Sequence, residues 1–468
     1  MAQEINGRKI VRNVSISIFA QIVSLLVAFV LNLIVPKYIS EYQYAYWQTY
    51  MLYANYTGIL HLGLLDGIVL RYSQYEYDEL NKPLLRSQFY LLMISNVMFA
   101  SIIIIGATIW LELDYLRVGI FVAISVVLKN AIQYATYMLQ ITNRIKEYAL
   151  TSIIQNVVYA IFVILIILLS RKSFYWICVA EMAGTLIALL WTIKYNKECY
   201  IGKMLPIKIA WKELKANVSA GIFLLISNSS AMLLLGITKM IVQWRWDKLV
   251  FSKVAFSFNI TSLFLTFISA ISIVLFPALK RMKEENLPLV YIKIRNVLSP
   301  LLVVVLIVYF PGTWLLFKWL PSYSESIVYL GVLLPIIIYR TKVSLLTNNY
   351  LKAYRKERVL LAINVVSVLV AITGGILIDY AFHNIDYLLI YTVITMMLMS
   401  MYAEHTVSKI IGFRFVKENL VEGIMTVVFI ICARCLNVWT GFIIYSLIVF
   451  VYLLLNRNTI FKNLFKRV

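Results

Sequence analysis

Apolar runs about twenty residues long, broken by short clusters of basic and small polar residues, recur along the whole chain. They fall at 14–35, 45–70, 87–110, 118–141, 148–170, 174–193, 216–238, 250–276, 297–317, 326–350, 359–378, 386–403, 419–437 and 439–456. At about 1.5 Å per helical residue each run reaches across about 30 Å of hydrocarbon, where a helix satisfies its own backbone. The pattern predicts an all-α membrane protein of about fourteen transmembrane helices. Little more than Asn437 to Thr440 separates the last two runs, so twelve or thirteen spans follow if they form a re-entrant pair.

Composition points the same way. With 62% hydrophobic and only 14% charged residues among 468, too little polar surface is left to clothe a water-soluble globule. The net charge of +21 does not mark a nucleic-acid binder, because the 43 Lys and Arg are scattered between apolar runs. They sort by topology instead. With the N-terminus inside, roughly 32 of them fall on the cytoplasmic side, as the positive-inside rule requires, and both termini are cytoplasmic. Arg8, Lys9 and Arg12 before the first run imitate a signal peptide, but the run is too long and no small-residue cleavage site follows, so the first helix is expected to be retained.

Loops are short, which leaves no room for a soluble catalytic domain. The longest, about Tyr195 to Lys215, divides the chain into an N-terminal lobe (1–195, spans 1–6), a cytoplasmic linker (196–215), a C-terminal lobe (216–405, spans 7–12) and a C-terminal segment (406–468) with two further helices and a basic tail. Asn13-Val14-Ser15 opens the first span and Asn217-Val218-Ser219 the seventh; Asn156 in the fifth matches Asn364 in the eleventh. Near-constant offsets across six helices describe parallel repeats.

Ionisable residues inside spans mark a pathway, since each is costly unless it faces protein or water. Lys129, Arg340 and Lys342 suggest a cationic cavity between the lobes. Asp66 and Glu181 are the candidates for ion coupling or for neutralising a cation. Lys253 reads as an interfacial anchor, and the cluster Tyr38, Tyr42, Tyr44, Tyr46, Tyr50, Tyr53 and Tyr56 as an aromatic belt or a sugar-stacking surface. Cys178, Cys199, Cys432 and Cys435 are too few and scattered for a disulfide framework and read as structural. His61, His383 and His405 are isolated. No zinc spacing, phosphate loop, nucleotide fingerprint or nucleophile elbow is present, so no metal, no cofactor and no catalytic residue is expected.

Short features at helix ends carry a family resemblance: Arg12-Asn13 at the start, His61-Leu62-Gly63-Leu64 leading to Leu70-Arg71-Tyr72, Phe276-Pro277-Ala278-Leu279, and Asn349-Tyr350-Leu351-Lys352-Ala353. In this order the chain resembles the Wzx-type O-antigen and capsule repeat-unit flippases, the polysaccharide branch of the multidrug/oligosaccharidyl-lipid/polysaccharide (MOP) superfamily. The resemblance implies a V-shaped pair of six-helix lobes working by alternating access in the bacterial cytoplasmic membrane. The substrate it implies is an undecaprenyl-pyrophosphate-linked oligosaccharide, with the pathway's polymerase and chain-length proteins as partners and a proton or sodium gradient as drive. A cationic cavity suits that cargo, because pyrophosphate needs charge partners. The chain departs from the related lipid II flippases in offering Gln21, Ser24 and Asn32, not arginines, in the first span. The competing expectations are a cation-coupled multidrug exporter of the same superfamily, whose cavity should favour carboxylates, and a membrane-embedded polymerase or ligase, which should carry a large external loop.

Overall fold

The computed structural model describes residues 7–465, all helices and short connections with no strand among them. The side chains of Arg12-Asn13, of the Asn13-Val14 part of the repeat and of Phe276-Pro277-Ala278 lie outside what the structure describes. By internal contact the chain divides into Met1–Ser229 and Ser230–Val468.

The first unit is built from α1 (Gly7–Phe29), prolonged by a π turn at Val30–Ile34 and a last turn Val35–Tyr38, then α2 (Glu41–Ala54), α3 (Leu64–Tyr72), α4 (Lys82–Trp110), α5 (Leu113–Ile141), α6 (Ile145–Leu168), α7 (Phe174–Ile193) and the beginning of α8 (Ile207–Arg245). Helix α6 packs on α7 and α1, and α5 on α4, α2 and α7. The boundary between the two units falls inside α8. Residues before that boundary are fastened to the first unit. Arg86 donates to the carbonyl oxygens of Glu198 and Lys203, and Glu213 accepts from Arg71 (2.5 Å) and from the Tyr72 hydroxyl (2.6 Å).

The second unit continues α8 and adds α9 (Lys248–Arg281), α10 (Leu287–Val305), α11 (Tyr309–Trp319), α12 (Ser324–Leu333), α13 (Ile336–Thr341), a π turn at Lys342–Thr347, α14 (Asn348–Ala353), α15 (Glu357–Phe382), α16 (Ile385–Ile411), α17 (Val416–Cys435) and α18 (Val438–Phe465). Helix α17 packs on α10 and α12, and α18 on α10, α11 and α17. The two last helices therefore belong to this unit's core.

Among the described residues, 11 helices are long and apolar enough to span, or 12 with the bent pair Pro321–Leu333 and Ile336–Ala353. The two remaining runs of the expected fourteen fall short for physical reasons. Run 45–70 is broken between α2 and α3 by a 3-10 turn at Thr57–His61 and two left-handed residues, Leu62 (φ 52°) and Gly63 (φ 85°). Run 419–437 lies on α17, which carries Lys417, Glu418, Glu422 and Arg434. Exposed Ile94, Leu190, Phe223, Leu377 and Ile443 are spread over both units, as a lipid-facing surface demands.

Candidate functional site

In the first unit, α5, α7 and α2 bring Lys129, Glu181 and Tyr50 together. The Glu181 carboxylate accepts from the Lys129 ammonium (3.1 Å) and from the Tyr50 hydroxyl (2.6 Å). A phenol has a single proton, so Tyr50 accepts in turn from Ser125, 2.8 Å away. Glu181 is 8% exposed, and the pair is neutral, which is how two charges persist at this depth. Sequence reasoning chose Lys129 for a cationic cavity and Glu181 for ion coupling; the structure joins them in one ion pair.

The tyrosine cluster is also divided. Tyr38 and Tyr42 are exposed, whereas Tyr44, Tyr46 and Tyr50 are buried, with Tyr46 edge-on to Tyr115 and stacked on Phe174. Those three are core residues, not a belt.

His61 is not isolated. Its Nδ1 accepts the Gly63 N–H (3.1 Å), so the proton sits on Nε2, 3.7 Å from Asp66 in the first turn of α3. Helix α3 then crosses α8 at backbone distance: a methyl group on Gly67 would run into the Asn217 carbonyl, and one on Gly221 into Gly63.

The second unit holds a buried quartet of charges. Arg295 on α10 donates to Glu404 on α16 (2.9 Å) and Glu422 on α17 (3.1 Å). Lys342, at the start of the π turn, donates to Glu404 (3.0 Å), Glu422 (2.6 Å) and Asn419 Oδ1 (2.7 Å). None of the four side chains exceeds 3% exposure. Two positive and two negative charges cancel. Lys342, expected beside Arg340 in a cavity, is thus met by carboxylates inside its own unit. Glu404 and Glu422 escaped sequence reasoning, although an acid within the apolar run 419–437 was a readable signal.

Arg340 points elsewhere. Its guanidinium donates to the Ala231 carbonyl on α8 (2.9 Å), and among the described residues no carboxylate pairs with it. A second such cation, Lys239, lies eight positions further along α8. Its ammonium donates to Asn259 Oδ1 (3.2 Å) and lies 5.4 Å from the Phe258 ring centroid, again with no carboxylate among the described residues. Sequence reasoning missed Lys239, which sits just beyond the end of run 216–238.

Lys253 pairs with Glu325 at 2.7 Å. Among the described residues there is no metal-ligating cluster and no disulfide; Cys178, Cys199 and Cys432 are buried and Cys435 exposed.

No protein-family model matches the chain, and no curated protein matches it in sequence. Solved structures match in fold. The lipid II flippase MurJ in an inward closed conformation aligns with a TM-score of 0.70 at 15% identity, over 97% of this chain and 100% of that one. An inward-facing multidrug resistance MATE family transporter of the MOP superfamily aligns at 0.64 and 12% identity, over 84% and 98%. A MOP superfamily transporter from Pyrococcus furiosus aligns at 0.53 and 12% identity, over 86% and 95%. The chain has the MATE and MurJ-like transporter fold.

Proposed function

We propose that this chain is a flippase moving undecaprenyl-pyrophosphate-linked oligosaccharide repeat units across the bacterial cytoplasmic membrane, for O-antigen, capsule or another exopolysaccharide. The observation that carries the reading is the pair Lys239 and Arg340, two cations in apolar helices with no carboxylate partner among the described residues. Such charges are costly in a membrane unless an anion meets them, and a pyrophosphate is an anion a guanidinium fork can grip. Fold likeness over the whole length to a flippase of lipid II supports a lipid-linked cargo. Arg340 takes the role first given to it, joined by Lys239. Lys342 supports the helices around it, and the Lys129–Glu181 pair with Asp66 is where a coupling proton or sodium ion would act.

The mechanism is alternating access without covalent chemistry, so the protein is a transporter and not an enzyme. The cation bias supports a topology with both termini in the cytoplasm, and the polymerase and chain-length proteins of the pathway would receive the cargo.

The test is complementation of a strain deleted for this protein. Wild type should restore surface polymer, whereas Lys239→Ala with Arg340→Ala, equally expressed and folded, should leave it reduced at least about tenfold with lipid-linked repeat units accumulating on the cytoplasmic face. Undiminished polymer with altered drug tolerance would move the protein to drug export.

A further inference from the structure

We infer that the second unit holds a site for the phosphate headgroup of a membrane lipid, in a cavity of about 400 Å³ between α16 and α17. Gly412 ends α16 in the left-handed region (φ 70°) and three residues, Phe413 to Phe415, join it to α17, so both helix ends border the cavity. The polar side chains lining the cavity are His405, Ser408, Arg414 and Asn419. Every one can donate a hydrogen bond. Among the described residues the His405 ring, the Ser408 hydroxyl and the Arg414 guanidinium have no partner, and Asn419 uses only its carbonyl oxygen, toward Lys342. No carboxylate lines the cavity. Glu404 and Glu422 are turned into the quartet, and Glu418, beside Asn419, is not part of the wall. Unmatched donors around a cationic group describe a receptor for an oxyanion.

The rest of the wall commits the occupant to a lipid. Met401, Val416 and Leu420 line the cavity, and exposed Leu398 and Tyr402 on α16 and Ile424 and Val427 on α17 continue the same helical stripes away from it. A chain attached to the phosphate would lie along that apolar surface; inorganic phosphate could not use it.

The site also touches the quartet. Phe415 in its wall carries the Arg295 guanidinium 4.8 Å from its ring centroid, and Asn419 accepts from Lys342 at 2.7 Å. A headgroup bound there braces both cations, so binding should raise thermal stability. The inference does not depend on the transport reading, because its test reads lipid binding directly.

Full-length protein in detergent, analysed by native mass spectrometry and thermal melting, should bind dioleoyl phosphatidic acid about tenfold more tightly than dioleoyl phosphatidylcholine. Arg414→Gln with His405→Gln should reduce phosphatidic acid binding about tenfold, and Leu420→Trp, which keeps every donor but fills the cavity, should reduce it comparably. Arg117→Gln, an exposed cation of the first unit, should change nothing. Equal binding of the two lipids, or binding indifferent to the cavity variants, would overturn the inference. So would stabilisation by inorganic phosphate alone to the same extent as by phosphatidic acid, which would make the cavity a free-anion site.

Discussion

Four charges survive among apolar helices in the second unit because each cation reaches both carboxylates. Arg295 and Lys342 each contact Glu404 and Glu422, so removing one charge cannot be repaired by the remaining three. Lys342→Met leaves two carboxylates facing one guanidinium. An uncompensated buried charge costs on the order of 3–5 kcal/mol, and we expect a correspondingly large fall in the melting midpoint followed by fluorescence-detected size exclusion. Adding Glu422→Gln restores neutrality and should recover most of the loss; a double variant as unstable as the single one would show that packing, not charge balance, holds the site. At the same scale, burial in the turn Lys197–Cys199 pushes the Cys199 thiol up to about 11. The thiolate is the reactive form, so maleimide at pH 7.5 should modify exposed Cys435 and spare Cys199, whose labelling should rise only as the pH approaches 11. Equal labelling of the two at pH 7.5 would contradict the burial of Cys199.

At the scale of elements, the break between α2 and α3 lets a short helix meet α8 at backbone distance. Gly67, Gly63 and Gly221 make that approach possible, since a side chain on any of them collides with backbone atoms of the partner segment. Gly67→Val should therefore destabilise the first unit by more than the ~1–3 kcal/mol of ordinary overpacking, measured as lost expression and a lowered melting midpoint, because the obstacle is a main-chain carbonyl that cannot change rotamer. Wild-type behaviour of this variant would mean that α3 and α8 do not touch there. The same elements show what a sequence can and cannot disclose. Long apolar runs announce spans because lipid leaves the backbone no alternative to helix. The break at 56–63 was invisible because an average over 45–70 remains apolar, and left-handed Leu62 carries no compositional mark. Lys129 and Glu181 were each legible as intramembrane charges, but their pairing was not, because contact between α5 and α7 is set by packing rather than by spacing along the chain. Lys342 was legible for the same reason and misplaced for the same reason: its partners lie 62 and 80 residues away.

For the whole molecule, the last two helices decide whether the second unit can stand. Sequence patterning adds them after two six-helix lobes, and a removable appendage would tolerate deletion. The structure makes α17 a source of charge: Glu422 completes the quartet, Thr426 bonds the Tyr339 hydroxyl (2.7 Å) and Arg434 pairs with Asp386 (2.7 Å). A chain ending at Ile411 would leave Arg295 and Lys342 to share Glu404 alone, one positive charge in excess at a site that water does not reach. We expect that truncated protein to fail to accumulate in membranes, read by immunoblot of the membrane fraction. Adding Lys342→Met to the truncation removes the excess charge without restoring any packing. Partial recovery of membrane protein in that combination would assign the defect to the charge. Full accumulation of the simple truncation would instead show that α17 and α18 are dispensable to the unit, and that the quartet does not hold it together.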